Sequence, residues 1–151
     1  MEQNICSIFE EGHLNMTRIP EYDRDMIEQA IYLPMVLTVL NRDRTVIESS
    51  PFKLKKPYLV LIEETMLAIQ KDLAGVKRYM KQNSLKVQQL KRDEAFTMYL
   101  FLYRGYEEQH NYFNPRLRNR TEELMEYYLF RRYSLHAEKL PEKYINKKQH
   151  K

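Results

Sequence analysis

The chain has 151 residues, of which 30% are charged and 43% hydrophobic, and its formal net charge is +4. This length suits one domain that needs no disulfide or metal for stability, and the single cysteine excludes an intramolecular disulfide and any multi-cysteine site. No apolar run approaches the roughly 18–20 residues of a membrane-spanning helix. The acidic start MEQNICSIFEEGH is not a secretory signal, so a cytoplasmic protein with no membrane insertion is expected, and Cys6 is interpreted as a bystander thiol.

The two ends of the chain lack periodic apolar residues. We predict a disordered N-terminal extension over 1–15, a folded domain over 16–135 and a basic, flexible tail over 136–151. Glu-Glu-Gly at positions 10 to 12 requires purine-rich codons that resemble a ribosome-binding site, three codons before Met16. Two hypotheses follow: either translation begins at Met16, or residues 1–15 are a genuine extension. A gene without an AGGAGG-like run before the Met16 codon would contradict translation from Met16.

The first helix is predicted to begin near Pro20, because proline suits a first helical turn. Acidic residues follow where the helix dipole favours them, and apolar residues recur at helical spacing until the pattern fades near Glu48. Pro34 removes a backbone hydrogen bond inside this segment and predicts a kink. Residues 49–52 have the composition of a loop.

The second helix has the clearest pattern in the chain. Pro57 marks its start, Asn83 and Ser84 mark its end, and apolar residues repeat at alternating spacings of three and four. The repeating residues are Leu59, Ile62, Met66, Ile69, Leu73, Val76 and Met80. Further apolar residues widen this surface beyond a dimer seam, which predicts packing within a multi-helix domain.

The next segment is harder to interpret. Residues 85–92 begin with a strand-like alternation, but no partner strand is visible, so a loop or a short helix lead-in is predicted. Residues 95–103 are mostly apolar on every helical face, which predicts a helix buried on several sides. Propensity alone favours a strand over 98–103. The helix is preferred because periodic positions continue to Tyr106 and His110 without turn residues.

Asn114 and Pro115 predict the start of a fourth helix, with the asparagine as N-cap. Apolar residues follow at heptad spacing and the pattern decays after Tyr133. Four helices joined by short loops predict an all-α, single-domain antiparallel helical bundle whose first helix is kinked at Pro34.

Few residues point to chemistry. Glu107 and His110 stand three residues apart, as in half of a carboxylate-bridged di-metal site on a helix, but the other match, Glu10 with His13, falls in the N-terminal extension. The three scattered glycines form no phosphate loop, and no nucleophile, kinase or zinc-protease motif occurs. We therefore expect no enzyme activity, no metal and no cofactor.

The charge is unevenly distributed along the chain. Residues 53–92 and 114–151 carry net charges of +7 and +5, whereas 1–52 and 93–113 carry −5 and −3. Oppositely charged segments can attract each other within the domain, or the basic blocks can form a phosphate-binding face. The candidate patch consists of Lys53, Lys55, Lys56, Arg116, Arg118, Arg120, Arg131 and Arg132.

Two runs, MTRIPEYDRDMIEQAIYLPMVLTVLNRDRTVIESSPFKLKKPYLVLIEETM and KRDEAFTMYLFLYRGYEEQHNYFNPRLRNRTEELMEYYL, resemble the small Bacillus proteins of the YhjD type. The resemblance spans about 16–129. It implies an association with sporulation, in the sporulating cell or spore, and supplies no catalytic residues. The expected function is a non-enzymatic protein that binds a protein partner, self-associates or serves as a structural component. The alternative is a nucleic-acid-binding module that uses the two basic blocks.

Overall fold

The computed structural model describes residues 17–131. Two helices come first, then three strands, then a third helix that ends in a π-helical turn. The elements are α1 (Glu21–Glu48), α2 (Lys56–Gln82), β1 (Leu85–Arg92), β2 (Phe96–Tyr103), β3 (Tyr106–Phe113), α3 (Asn114–Glu126) and the turn Tyr127–Arg131. The fold is therefore α+β, and the prediction of an all-α helical bundle is wrong.

The three strands form an antiparallel meander in the order β1-β2-β3. Arg104 and Gly105 join β2 to β3 and have φ values of +46° and +87°. Two consecutive positive φ angles are typical of the primed turns that match the twist of a tight hairpin. Glycine reaches such angles without strain, so Gly105 permits the tight turn between the end of β2 and the start of β3.

The strands overturn the helix predicted over 95–103. Thr97, Tyr99 and Phe101 are buried and their neighbours are more exposed, which is the two-residue alternation of a strand. The register pairs Val87 with Phe101, so β2 is the partner strand of 85–92, which the sequence pattern does not identify. A strand that is apolar on both faces looks like a continuous apolar run, and periodicity alone cannot separate it from a buried helix.

The predicted bounds of the first two helices are confirmed, and the kink at Pro34 stays a prediction. Helix α1 begins after Pro20, ends at Glu48 and stays helical through Pro34. In α2 the predicted seam faces the core, with five of its residues buried and two partly buried. Helix α2 ends at Gln82, as predicted from Asn83.

The start of α3 is also confirmed, but its capping is not. The side chain of Asn114 makes no helix cap. Its amide donates to the carbonyl oxygens of Asp93 and Glu94, and its Oδ1 accepts from the Thr97 hydroxyl at 2.7 Å. Asn114 therefore ties the start of α3 to the β1–β2 turn.

One face of the sheet packs against the helices and is called the inner face. Buried residues from all three helices and from this face form one hydrophobic core. The opposite, outer face carries the alternate residues of each strand, and none of them belongs to that core. The described residues thus form two layers, with helices on one side of the sheet only.

Candidate functional site

An apolar stripe runs the length of the outer face. It consists of Phe96, Met98, Leu100 and Leu102 of β2 together with Phe113 of β3, and is called the outer stripe. Phe96 and Phe113 are exposed, with their ring centroids 5.5 Å apart, and the other three side chains are partly buried. Within the described residues, no helix packs over this stripe.

Polar side chains border the outer stripe on both sides. Lys86 of β1 and Glu107 of β3 lie opposite Leu102, so one cross-strand row has a cation at one edge and a carboxylate at the other. Gln88 and Gln109 flank Leu100 in the next row. An antiparallel sheet that faces water is normally polar on that face. The apolar row in its centre is therefore the feature that calls for a binding partner.

The inner face holds a buried carboxylate beneath the sheet. The Tyr112 hydroxyl donates to Glu28 Oε1 at 3.0 Å, and both side chains are buried. Burial raises the pKa of Glu28, although the Tyr112 hydrogen bond and the nearby guanidinium groups of Arg24, Arg116 and Arg120 act in the opposite direction. Glu28 thus links α1 to β3 and lies within electrostatic reach of α3.

The tyrosines around Glu28 keep their protons. Burial, followed by the field of Glu28, raises the pKa values of Tyr32 and Tyr112. Neither residue lines the cleft of about 310 Å³ that lies beside them, between the middle of α1 and the sheet. The cleft is lined by Ala30, Ile31, Pro34, Met35, Thr38, Val87, Gln89 and Tyr99. Glu28 does not line the cleft either, so we assign it a structural role and not a ligand-binding one.

A second carboxylate ties the segment before α1 to the sheet. Glu108 of β3 accepts hydrogen bonds from the Thr17 hydroxyl at 2.7 Å and from the Arg18 amide at 2.9 Å. His110 Nε2 lies 3.0 Å from the same carboxylate, and the Arg18 guanidinium lies 5.1 Å from the centroid of the Tyr106 ring. Burial alone would raise the pKa of Glu108, but these hydrogen bonds outweigh it and lower the pKa.

Glu108→Gln should remove an acid-sensitive part of the stability. Because the folded protein lowers the pKa of Glu108 below its ordinary value of 4.5, the wild type keeps this contribution above that value and loses it as pH falls through the folded pKa. The variant should be less stable by about 1 kcal/mol at neutral pH and should approach the wild type in acid. Urea unfolding at neutral and acidic pH measures both differences.

The adjacent Glu107 supplies the matched control, since its exposed side chain lies on the outer face. Glu107→Gln should change stability by less than about 0.5 kcal/mol at either pH. An equal effect of the two substitutions would show that Glu108 does not hold the N-terminal segment.

The structure separates the two residues of the predicted metal pair. Glu107 and His110 are three residues apart on a strand, which places them on opposite faces, so the helical geometry assumed for them is wrong. His110 instead stacks on Phe101 with 4.2 Å between ring centroids and lies beside Glu108. Among residues 17–131, no group of three or more histidine, cysteine, aspartate or glutamate side chains is placed to hold a metal ion. Cys6, Glu10 and His13 lie outside the described residues.

The described members of the predicted basic patch form two groups. Lys53 and Lys56 are exposed beside the end of α1, where Lys55 Nζ donates to the Glu48 carbonyl at 2.9 Å. The second group is on α3, where Arg116, Arg118 and Arg120 lie and where Arg120 pairs with Glu123 at 3.0 Å. The charges of Arg116 and Arg120 lower the pKa of Glu28, so the second group lies near that residue of α1. The first group lies near Glu48, which is 20 residues further along the same helix. At 1.5 Å per residue, the two groups are about 30 Å apart. The Arg131 side chain and Arg132 lie outside the described residues.

The fold and the outer stripe define an α+β protein whose three-stranded meander is covered by helices on one face. Residues 18–133 match the family described as YhjD protein, and the chain is 47% identical over 115 residues to the Bacillus subtilis (strain 168) protein named Uncharacterized protein YhjD. That alignment covers 76% of this chain and 96% of the relative. The chain belongs to the YhjD family, as the sequence resemblance predicted. No solved structure matches it significantly.

Proposed function

We propose that this chain is a non-enzymatic protein-interaction module, and that the outer stripe binds an amphipathic helix of a partner protein. The observation that carries the proposal is the apolar row Met98, Leu100 and Leu102, which is partly buried and lies on a sheet face that the described helices do not cover. Apolar side chains on both faces of one strand are typical of a strand that is covered on both sides.

The shape of the stripe favours a helix as its partner. Between the two phenylalanines at one end and Leu102 at the other, the stripe is one strand wide and about 20 Å long, which matches about 13 residues of helix. A single helix would cover the apolar row and leave the polar edges in water. A second copy of the sheet packed face to face would instead desolvate Gln88, Gln109 and Asn111, which is unfavourable without new hydrogen bonds.

The polar edges would orient such a helix. Lys86 lies at the β1 edge and Glu107 at the β3 edge of the row that contains Leu102. A partner helix with acidic residues along one side of its apolar seam and basic residues along the other is complementary to this arrangement.

A photo-crosslinking amino acid at position 100 tests this proposal in the full chain, produced in a Bacillus cell. We expect one partner protein to be crosslinked from position 100 and not from position 67, where Leu67 is exposed on α2. With that partner purified, Leu100→Asp should weaken binding at least about tenfold, since a charge would have to be buried in the apolar contact. Leu67→Asp should leave the affinity unchanged.

Two outcomes would contradict the proposal. A crosslinked product of twice the chain mass as the main species would assign the stripe to self-association, and unchanged affinity in Leu100→Asp would remove the stripe from the interface. The sporulation setting implied by the family resemblance stays a prediction, supported by family membership alone. The nucleic-acid alternative draws less support, because the described cations lie in two groups.

A further inference from the structure

The hairpin between α1 and α2 ends in a protruding tip, defined here as residues 41–61. No residue of this segment is buried, and Leu40 is the last buried residue of α1. Helix α1 continues for eight more residues to Glu48, about 12 Å of helix, and of these residues Ile47 still packs against the core. This tip is separate from the outer stripe.

Large apolar side chains are concentrated at the end of the tip. Leu54 is 76% exposed, and Phe52 and Tyr58 are about half exposed, with their ring centroids 5.7 Å apart. These three residues and Lys53 line a shallow hollow of about 220 Å³. Such side chains are stabilised when they leave water, and nothing among the described residues covers them.

The charge at the end of the tip is one-sided, whereas the acidic residues Asp43 and Glu48 lie in its helical part. Residues 49–62 contain three lysines and no acidic residue, and the lysines alternate closely with the apolar side chains in the run PFKLKKPYLVLI. Lys55 is held by the Glu48 carbonyl, whereas Lys53 and Lys56 are exposed. Ammonium groups around a protruding apolar tip match the layered chemistry of a bilayer surface, where anionic headgroups lie above acyl chains.

We infer that the α1–α2 tip is a peripheral docking site for an anionic lipid bilayer. Phe52 and Leu54 enter the headgroup–acyl boundary, and Lys53 and Lys56 contact the lipid phosphates. Neither long helix of the described chain is apolar enough to cross a membrane, and surface docking needs no such helix. The alternation of exposed apolar side chains with the exposed lysines Lys53 and Lys56 favours a surface that is both anionic and apolar, as a bilayer is, whereas nucleic acid would not use Leu54.

Vesicle sedimentation with the full chain tests the inference. We expect binding to phosphatidylcholine vesicles that contain roughly 30% phosphatidylglycerol, little binding to pure phosphatidylcholine, and loss of binding between about 0.1 M and about 0.5 M salt. Phe52→Ser with Leu54→Ser should lower the partition coefficient at least about tenfold. Lys53→Gln with Lys56→Gln should lower it about tenfold.

A matched pair of substitutions outside the tip controls for nonspecific effects. Leu67→Ser with Lys77→Gln removes one exposed apolar residue and one exposed charge from α2, and binding should stay within about twofold of the wild type, because both positions lie outside the tip. Lys55 is left unchanged, because its hydrogen bond to Glu48 is part of the fold.

A tryptophan reporter keeps the test independent of the serine variants. The chain contains no tryptophan, so Leu54→Trp places a single fluorophore at the tip. Its emission should shift to the blue and be quenched by brominated lipids in anionic vesicles, and Leu67→Trp should show neither change.

Three results would overturn the inference. One is no binding of the wild type to anionic vesicles at low salt, and another is equal binding of the tip variants and the wild type. The third is tighter binding to a short DNA duplex than to vesicles, lost in the lysine variant and kept in the Phe52/Leu54 variant, which would assign the tip to nucleic acid.

Discussion

Phe101→Ala is expected to lower the free energy of unfolding by about 3–5 kcal/mol, because it leaves a large cavity in the core. Phe101 is fully buried, it stacks on His110, and its ring lies 6.4 Å from that of Tyr112. The side chain therefore fills the space between the inner sheet face and the helices. Urea unfolding followed by circular dichroism gives the change directly.

The adjacent Leu100 is the matched control for this substitution. Leu100→Ala removes a side chain from the outer stripe, and it should lower the free energy of unfolding by only about 1 kcal/mol. Such a difference between consecutive residues is expected for a strand with one face in the core. Comparable losses at both positions would contradict the register of β2.

Tyr112→Phe is expected to lower the free energy of unfolding by about 1–3 kcal/mol at neutral pH, because it removes the hydroxyl that donates to the buried Glu28. Phenylalanine fills nearly the same volume, so the loss reports on the hydrogen bond and not on a cavity. Equilibrium unfolding of the wild type and the variant measures it.

Glu28→Met combined with Tyr112→Phe tests whether the two side chains act as a pair. Replacing both partners by apolar groups of similar shape removes the unsatisfied acceptor. The double variant should be less destabilised than the sum of the two single variants by about 0.5–3 kcal/mol. Additive losses would contradict a direct interaction between Glu28 and Tyr112.

The same pair has a defined dependence on pH. The folded protein raises the pKa of Glu28 above its ordinary value of 4.5, mainly through burial. The stability associated with protonated Glu28 is therefore fully present below that value, and it is lost as pH rises through the folded pKa. The loss caused by Tyr112→Phe should accordingly be smaller in acid, where no charge is buried, than at neutral pH. A loss that grows in acid would contradict a Tyr112 hydrogen bond that favours the ionised form of Glu28.

Local signals in the sequence were sufficient for the helices. Pro20 and Pro57 mark helix starts, Asn83 marks an end, and the repeat in α2 identifies the side that faces the core. Each of these signals acts through bonds or sterics within about one helical turn, and so it needs no knowledge of the rest of the fold.

The strands depended on information from elsewhere in the chain. The alternation over 85–87 was visible, but its partner, β2, is apolar on both faces and looks like a buried helix. The turn that would have separated β2 from β3 has Arg104 before Gly105 instead of the Asn or Asp that usually indicates such a hairpin. Because the sequence does not indicate this turn, it predicts that Glu107 and His110 share one face of a helix, whereas both residues lie on β3.

The functional residues were only partly visible for the same reason. The lysines near position 55 stood out by charge, and their location next to exposed Phe52 and Leu54 follows from short-range sequence. Glu28 and Glu108 gave no signal, because their partners lie 84 and 91 residues away in the sequence.

The sequence by itself determined where the two long helices begin and end, and to which family the chain belongs. The tertiary structure alone decided that 85–113 forms a sheet, that helices cover only one face of it, and that Met98, Leu100 and Leu102 face outward. The physical reason is that helix signals are carried by neighbours within a turn, whereas a strand is defined by the strands beside it and by what covers each face.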